Sequence, residues 1–374
     1  MPVRALARVN LAAIERNIRR LRDSLAPGTR MCAVVKADAY GHGAVPVARA
    51  ARAAGAGWLA VASAQEAAEL RGAGLEGPLL VMGALSHEEL PLALEAGADV
   101  VAWTQDFMTE LERADGGSSV GVHVKLDTGM GRFGTRELEE ALQIAQRAGS
   151  SAGALRLRGA MTHLATADCD PDFMRAQLEA FQPFVDRVRE QRPDVLVHAA
   201  NSAAVLNAPK SHFDLVRCGL AVYGCDPMGG SPEERQLDPA LELVSYVAAV
   251  KPAQPGESVG YGRTFTAERE TNIATVPIGY ADGYVRALSN NSDALIGGRR
   301  HPVVGTISMD NLTVDVGPQD AVRVGDRVVL LGGDGSERQT AEDLARRAGT
   351  ISWEVLCGIS GRVPRVYHRD GVPE

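Results

Sequence analysis

The stretch MCAVVKADAYGHG, residues 31–43, begins as a buried strand should and ends in a turn that carries an amine. Met31 to Val35 form a continuous apolar run, which is typical of a strand covered on both faces. Lys36 ends the run, and Tyr40 follows within a turn whose glycines let the backbone approach a ligand closely. The pattern indicates a strand that presents a lysine rigidly at its carboxyl end.

The same order of apolar strand, loop and amphipathic helix is repeated along the first two thirds of the chain. Continuous apolar strands that alternate with helices predict a parallel sheet with both faces covered. Eight such units favour a (β/α)8 barrel of the TIM type over an open doubly wound sheet, because the glycine-rich dinucleotide loop is missing after the first strand. The predicted strands are residues 31–35, 58–62, 78–82, 99–103, 120–126, 155–161, 195–199 and 213–217.

The composition and the pattern of the sequence change near residue 236. Beyond it, short segments rich in Val, Thr, Gly and Pro indicate antiparallel strands joined by tight turns, with one late helix over residues 340–349. The sequence therefore predicts an α/β protein with an N-terminal barrel domain, residues 1–236, and a C-terminal domain that is mostly β, residues 237–374.

Composition excludes several classes of function. The chain has 374 residues, is 45% hydrophobic and 23% charged, and carries a net charge of −8, which argues against nucleic-acid and membrane-surface partners. No apolar run reaches the length of a membrane span, and the N-terminal residues lack the apolar core of a signal peptide. Five cysteines in no framework spacing fit a reducing compartment, so we expect a cytoplasmic protein.

Polar residues follow the predicted strands at the end where barrels of this kind build their sites. Lys36, His163, Arg217 and the pair Asn201 and Ser202 all stand at such positions. An amine and anion-binding turns, without a metal or nucleotide motif, favour a carbonyl cofactor that bears a phosphate. Pyridoxal phosphate is the obvious candidate, with Lys36 as its point of attachment.

Each of these residues also has a structural interpretation. A lysine at a strand end is usually solvated, and His163 could be a core histidine with satisfied hydrogen bonds. Arg217 could pair with a barrel carboxylate. Asn201 and Ser202 could simply cap the following helix, although a helix N-terminus also binds anions.

The sequence resembles the alanine racemases. AVVKADAYGHG (33–43) is similar to the segment that attaches pyridoxal phosphate in that family, and the resemblance continues in order over essentially the whole chain. The other matching motifs are KLDTGMGRFG (125–134), MTHLATAD (161–168), HAANSAAVL (198–206), RCGLAVYG (217–224), VGYGRTFTA (259–267), PIGYADGY (277–284), GTISMDNLTVDV (305–316) and RVPRVY (362–367).

The resemblance implies a homodimer in which each subunit completes the site of the other. Lys36 would attach the cofactor and act as the base on one face of the substrate, and Tyr261 of the partner subunit would be the base on the opposite face. Racemisation needs two such bases, because one removes the α-proton and the other delivers a proton from behind. His163 would bridge Tyr261 to Arg217, and Arg217 would face the pyridine nitrogen of the cofactor.

The resemblance also implies roles for residues around these. Asn201 belongs to the cofactor-binding set, and four groups would bind the phosphate: Tyr40, Ser202, Gly219 and Leu220. Trp353 stands where the family usually has a tyrosine that reaches the phosphate, and an indole offers an N–H but no hydroxyl.

On the substrate side, the resemblance implies that Arg132 holds the carboxylate of the substrate with the N–H of Met309. Tyr280 and Asp310 would line the entrance. Lys125 matches a lysine that is often carbamylated, and an unmodified barrel lysine is the alternative.

The sequence thus predicts an alanine racemase that supplies D-alanine for peptidoglycan. A racemase that also accepts serine is the alternative, with Trp353 as its only support. Two further classes fit less well: a pyridoxal-phosphate-binding barrel would lack Tyr261, and a barrel-plus-β decarboxylase would place a glutamate where this chain has Arg217.

Overall fold

The structure is a computed structural model that describes residues 4–114, 119–150, 155–318 and 322–374. It contains a parallel eight-stranded sheet that forms a barrel and a second, mixed sheet of eight strands. The predicted fold class, a (β/α)8 barrel followed by a mostly-β part, is confirmed. The predicted division between residues 236 and 237 stays a prediction. In the described residues, no helix is long and apolar enough to cross a membrane.

The barrel follows a short strand, β1 (Leu6–Asn10), and a helix, α1 (Leu11–Asp23). All eight predicted barrel strands are present, each within two residues of the predicted bounds. In chain order, the barrel elements are β2 (Arg30–Val34), α2 (Lys36–Gly41), α3 (Ala44–Ala53), β3 (Trp58–Val61), α4 (Ala64–Gly72), β4 (Leu79–Val81), α5 (Leu90–Glu95), β5 (Asp99–Ala102), α6 (Gln105–Ala114), β6 (Val120–Lys125), α7 (Leu138–Ser150), β7 (Leu155–Met161), α8 (Pro171–Gln191), β8 (Leu196–His198), α9 (Ser202–Asn207) and β9 (Leu215–Cys218).

Burial explains why the barrel strands read as apolar runs. Every residue of β3 and β4 is buried, because helices cover the outside of the barrel and side chains fill its interior. Strand β2 pairs with β3 on one side and with β9 on the other. Backbone bonds from Asp214 N to Val197 O (3.0 Å) and from Arg217 N to Ala200 O (2.9 Å) link β9 to the β8 side and close the ring. The carboxyl ends of β2, β7 and β9 therefore meet at one rim.

In the residues that the structure describes, the C-terminal part is mostly strands, as predicted, with two α-helices. The late helix is confirmed: Thr340 Oγ1 accepts a hydrogen bond from Asp343 N, and Gly349 ends the helix with φ 71°. The elements are β10 (Leu241–Tyr246), β11 (Ala249–Ala253), β12 (Ser258–Val259), β13 (Phe265–Thr266), β14 (Thr271–Val276), β15 (Asp293–Ile296), β16 (Arg299–Pro302), β17 (Leu312–Asp315), β18 (Arg327–Asp334), β19 (Glu337–Gln339), α10 (Ala341–Ala348), α11 (Ser352–Cys357), β20 (Arg365–Arg369) and β21 (Val372–Pro373).

Strand β1 lies in the second sheet, although it precedes the barrel in sequence. It pairs antiparallel with β10, where Ala7 faces Leu243, and parallel with β20, where Ala7 faces Arg365. Asn10 then caps α1, its side chain accepting from Ala12 N and Ala13 N. Strand β1 was not predicted from the sequence. Its pairing with β10 and β20 ties the N-terminal segment to the C-terminal part.

The turn after β2 has an unusual backbone. Residues 37–40 all have positive φ, between 51° and 54°, which L-residues rarely adopt in succession. Three contacts hold it: Ala37 N donates to Glu66 Oε1 (2.7 Å), Ala44 N donates to Asp38 Oδ1 (2.7 Å), and Arg365 Nε donates to Gly41 O (3.0 Å). The turn is thus fixed both by barrel helix α4 and by β20.

Replacing Gly41 with alanine is expected to destabilise the protein more than replacing Gly28. Both glycines have positive φ (79° and 85°), so each alanine bears a backbone cost of about 1–2 kcal/mol. A Cβ at Gly41 would lie 2.5 Å from the carbonyl oxygen of Leu356, whereas nothing lies within 4 Å of a Cβ at Gly28. Thermal unfolding followed by circular dichroism should show the larger fall in Tm for Gly41→Ala, and equal falls would contradict this packing.

Candidate active site

Lys36 lies at the carboxyl end of β2 and opens the left-handed turn. Burial lowers the pKa of its ammonium group, and the positive charge of Arg132 lowers it further, against the opposing effect of Glu66. The chain has four lysines, and Lys210 and Lys251 are exposed. A lowered pKa enlarges the neutral, nucleophilic fraction of a lysine amine compared with that of a solvated lysine.

Arg217 is buried beneath this rim and makes four hydrogen bonds. It donates to His198 Nδ1 (2.8 Å), to His163 Nδ1 (3.2 Å) and to the carbonyl oxygens of Thr162 (2.9 Å) and Ala199 (3.0 Å). Burial lowers the pKa of Arg217 to about 10, so the guanidinium stays charged at neutral pH. Within the described ranges its partners are two histidines and two carbonyls, so the alternative of a barrel carboxylate partner is wrong.

His163 lies among several cations. Burial and then Arg217, Lys125, Arg132 and Lys36, in that order, hold its pKa well below the usual value. His163 is therefore neutral, and because its Nδ1 accepts from Arg217, its proton lies on Nε2. The same set of charges places Lys36, Lys125, Arg132, His163 and Arg217 at one site.

Lys125 ends strand β6 inside the barrel, and its side chain is almost fully buried. Its ammonium lies 5.7 Å from the centre of the Phe133 ring. Burial lowers the pKa of Lys125 to about 8, and the charges of Arg217 and Arg132 contribute. A substantial fraction of this amine is consequently neutral near physiological pH. Arg132 itself is exposed on the single chain.

A cradle of hydrogen-bond donors lies beside β8 and β9. Ser202 Oγ accepts from Gly219 N (2.9 Å) and Ala221 N (3.3 Å). The Tyr40 hydroxyl lies so close to Gly219 that a Cβ there would overlap it. Burial raises the pKa of Tyr40, so its hydroxyl stays protonated and can donate. Backbone N–H groups and two hydroxyls from three neighbouring segments suit an anion such as phosphate.

Other predicted cofactor residues lie around this cradle. Asn201 caps α9, its side chain accepting from Ala204 N (3.1 Å), so the structural interpretation of Asn201 is confirmed. Leu220 is buried in the short 3₁₀ turn Leu220–Tyr223 that follows Gly219. Trp353 lies half-buried in α11, a helix that packs against α2. Contact of Trp353 with a phosphate stays a prediction.

Four predicted site residues of the C-terminal part form a separate surface patch. Tyr261, Tyr280 and Met309 are 74%, 42% and 52% exposed, which is high for large apolar side chains. Tyr261 O accepts from Thr306 Oγ1 (2.8 Å), Tyr280 N donates to Ser308 O (3.0 Å), and Asp310 accepts from Arg362 (2.6 Å).

Among the described residues, no hydrogen bond or ion pair joins this patch to Lys36 of the same chain. In the part of the chain that the structure describes, the charged groups that act on Lys36 are Arg132, Glu66 and Cys357, and none belongs to the patch. The predicted site residues of one chain therefore form two separate groups, one at the barrel rim and one in the exposed patch.

Several polar residues that hold these two groups in place were not predicted from the sequence. Asp282 is fully buried, forms an ion pair with Arg4 and accepts from Gly279 N (3.0 Å), which fixes the loop that carries Tyr280. His123 and His198 lie inside buried strands of the barrel. A histidine within an otherwise apolar strand was the available signal for both.

Comparison with known proteins connects this geometry to a family. Residues 9–227 match the sequence model of the alanine racemase N-terminal domain, and residues 240–367 match that of the C-terminal domain. The chain belongs to the alanine racemase family. A curated alanine racemase from Symbiobacterium thermophilum is 45% identical over 373 residues, which cover 96% of each chain.

Solved alanine racemase structures share the whole fold. The crystal structure from a D-cycloserine-producing Streptomyces lavendulae has a TM-score of 0.93 at 39% identity and covers 98% of both chains. The Bacillus anthracis structure with bound L-Ala-P has a TM-score of 0.90 at 36% identity and covers 100% of this chain and 97% of that one. The family predicted from the sequence motifs is confirmed.

Proposed function

We propose that this protein interconverts L-alanine and D-alanine, with pyridoxal phosphate bound at the barrel rim. The observation that carries the proposal is the proximity of Lys36, His163 and Arg217, beside the cradle formed by Tyr40, Ser202 and Gly219, in a chain that matches both alanine racemase domains. The relatives bear the name of alanine racemase, and their names give the serine alternative no support.

The residues present fit the cofactor. Tyr40, Ser202 and the N–H groups of Gly219 and Leu220 would hold the phosphate, and Lys36 would attach the carbonyl carbon. Arg217 would lie toward the ring nitrogen, where it can donate a hydrogen bond but cannot accept one. When bound, pyridoxal phosphate supplies the electron-accepting ring that makes the α-hydrogen of an amino acid acidic.

Proton transfer falls to two residues on opposite faces of the substrate. Lys36 would serve one face, and Tyr261 of the partner subunit would serve the other. His163 bonds Arg217 through Nδ1, so its Nε2–H takes no part in that bond. This N–H can donate to the phenol oxygen of Tyr261 and so favour the phenolate, which is the form that accepts a proton. Two bases on opposite sides allow removal on one face and delivery on the other, which inverts the carbon.

This division of the site supports a homodimer as part of the proposal. The exposed aromatic and Met side chains of Tyr261, Tyr280 and Met309 form an apolar patch on a single chain, as expected of a surface that a second copy covers. The patch would bring Met309 N–H to the substrate carboxylate beside Arg132, and Tyr280 and Asp310 to the entrance. Met309 would restrict the pocket to a small side chain.

We assign the reaction to the cytoplasm, where D-alanine is made for peptidoglycan. All five cysteines are free thiols in the structure, and Cys32, Cys218 and Cys225 are buried, which suits a reducing compartment.

The holoenzyme is expected to convert L-alanine to an equimolar mixture of enantiomers, measured by chiral chromatography with L-serine assayed in parallel. Lys36→Ala should lose at least about 10²-fold in kcat, the lower end of the effect of a positioned acid or base. Lys210→Ala, at an exposed lysine, is the matched control. Borohydride reduction and peptide mapping should place the cofactor on Lys36. No turnover of alanine, or a label on another lysine, would contradict the assignment.

Mixing two inactive variants should restore activity if the site is shared. Lys36→Ala and Tyr261→Phe each remove one base, but a heterodimer of the two contains one site with both bases intact. After subunit exchange, verified by mass spectrometry of the intact assembly, part of the wild-type kcat should return. Exchange without recovery would show that both bases come from one chain.

Lys125 is expected to form a carbamate that orients Arg132. Its neutral amine would add to carbon dioxide and release a proton, which turns a cation into an anion. Because the pKa of Lys125 is about 8, the reactive neutral form grows as pH rises through that value. In ¹³C-bicarbonate, NMR should show a carbamate resonance that strengthens over this range, persists in Lys210→Gln and disappears in Lys125→Gln. No resonance from the wild type would leave Lys125 an unmodified barrel lysine.

A further inference from the structure

A chain of polar side chains crosses the barrel core behind Arg217. Arg217 lies 2.8 Å from His198 Nδ1, His198 Nε2 lies 2.8 Å from His123 Nδ1, and His123 Nε2 lies 3.2 Å from a carboxylate oxygen of Asp99. Both histidines are fully buried, and the side chain of Asp99 is 17% exposed. This series of hydrogen-bonded side chains runs from the amino end of β5 to β9, below the rim that carries Lys36.

The two ends of this chain determine where its protons lie. Arg217 can only donate, so His198 Nδ1 must accept and the proton of that ring lies on Nε2. This N–H donates to His123 Nδ1, which leaves the proton of His123 on Nε2, directed at Asp99. An ionised carboxylate only accepts, so Asp99 requires the same order from the other end. Both histidines are thereby fixed as Nε2–H tautomers.

The ring of His198 must be neutral for this order to hold. Burial and then the charge of Arg217 hold the pKa of His198 well below its usual value, with smaller effects of His123 and Lys125. A protonated His198 would present an N–H to the N–H of Arg217 at 2.8 Å, which is repulsive. The neutral ring is the form that can hold the guanidinium.

Two glycines make room for these polar side chains. A Cβ at Gly121 would overlap the carboxylate of Asp99, and a Cβ at Gly159 would overlap the ring of His123. Neither glycine has a positive φ, so the backbone does not require glycine at either position. The close approach of the two polar side chains is what excludes a larger residue in β6 and β7.

A β-bulge in β7 places a positively charged side chain near Asp99. The pairing of β6 with β7 shifts between Val122 and His123, which leaves Arg158 as the extra residue of β7. Arg158 Nε lies 3.8 Å from Asp99, and its guanidinium lies 5.3 Å from the centre of the Trp58 ring. At that distance Arg158 is a flanking cation and makes no hydrogen bond within the series from Arg217 to Asp99.

We infer that Asp99 and His123 are positioning residues for Arg217: by ordering the protons through the barrel core, they keep His198 in the tautomer whose lone pair holds the guanidinium. The tautomers are a property of the folded chain, whereas the effect on racemisation rests on the proposed function. Without this proton order, His198 could carry its proton on Nδ1. That N–H would face an N–H of Arg217, and the repulsion between the two donors would turn the guanidinium away from the cofactor ring.

The tautomers can be read directly by ¹⁵N NMR of the holoenzyme labelled at histidine, without substrate. The chain has eight histidines, and His123→Gln and His198→Gln assign the two signals. Both rings should show a protonated Nε2 and an unprotonated Nδ1. An Nδ1–H on either ring would overturn the inference, whatever reaction the protein catalyses.

Asp99→Asn tests the positioning role, because an amide can offer its NH₂ to His123 Nε2 and reverse the order. We expect a mixture of tautomers at His123 and His198 and a fall in kcat of about tenfold with little change in KM, the lower end of the range for partners that orient metal-binding side chains. Altered tautomers with unchanged kcat, or a lower kcat with unaltered tautomers, would overturn the role.

Arg158→Gln is the matched control. It removes the neighbouring charge and the stacking on Trp58 but leaves every member of the chain in place, so tautomers and kcat should match the wild type. A control that lost kcat as Asp99→Asn does, with its tautomers unchanged, would show that the loss is structural and overturn the inference. Wild-type protein without racemase activity would refute the proposed function while the tautomer measurement still decided the proton order.

Discussion

Residues 37–40 hold φ values of 51–54°, and each left-handed L-residue costs about 1–2 kcal/mol, so the turn after Lys36 opposes folding by several kcal/mol. The whole net stability of a domain is about 5–15 kcal/mol. The turn therefore exists only where its surroundings hold it, and both parts of the chain contribute. Glu66 binds it from barrel helix α4, and Arg365 binds it from β20. The position of the lysine depends on the barrel and on the second sheet together.

The site concentrates positive charge in a protein that is acidic overall. Lys36, Lys125, Arg132 and Arg217 act together on His163, while the chain carries a net charge of −8. Burial and then mutual repulsion lower the pKa values of the two lysines and of the histidine, which favours the neutral forms of their nitrogens. The same charges attract a phosphate and a carboxylate. One arrangement thus provides both anion binding and groups able to move protons.

The barrel could be predicted because its strands are buried on both faces, so each appears as an apolar run between helices. The motif residues at the rim could be predicted because they follow those runs directly. The left-handed turn could not, since Ala37, Asp38 and Ala39 have no local preference for it and tertiary contacts impose it. Strand β1 was missed because its partners are distant in sequence. The roles of Asp99 and Asp282 depend on contacts between elements, which residue order alone does not contain.

The location of β1 has a consequence for the growing chain on the ribosome. Asp370 N donates to Asn10 Oδ1 across 360 positions of sequence, and β20 is the parallel neighbour of β1. Barrel strands find their partners one βα unit away, so most of them can pair while translation continues. Strand β1 must wait for β10 on one side and for β20 on the other, with unpaired N–H and C=O groups until then. A nascent chain that stops short of β20 leaves this edge open to chaperones or to aggregation, and only near-complete synthesis covers it.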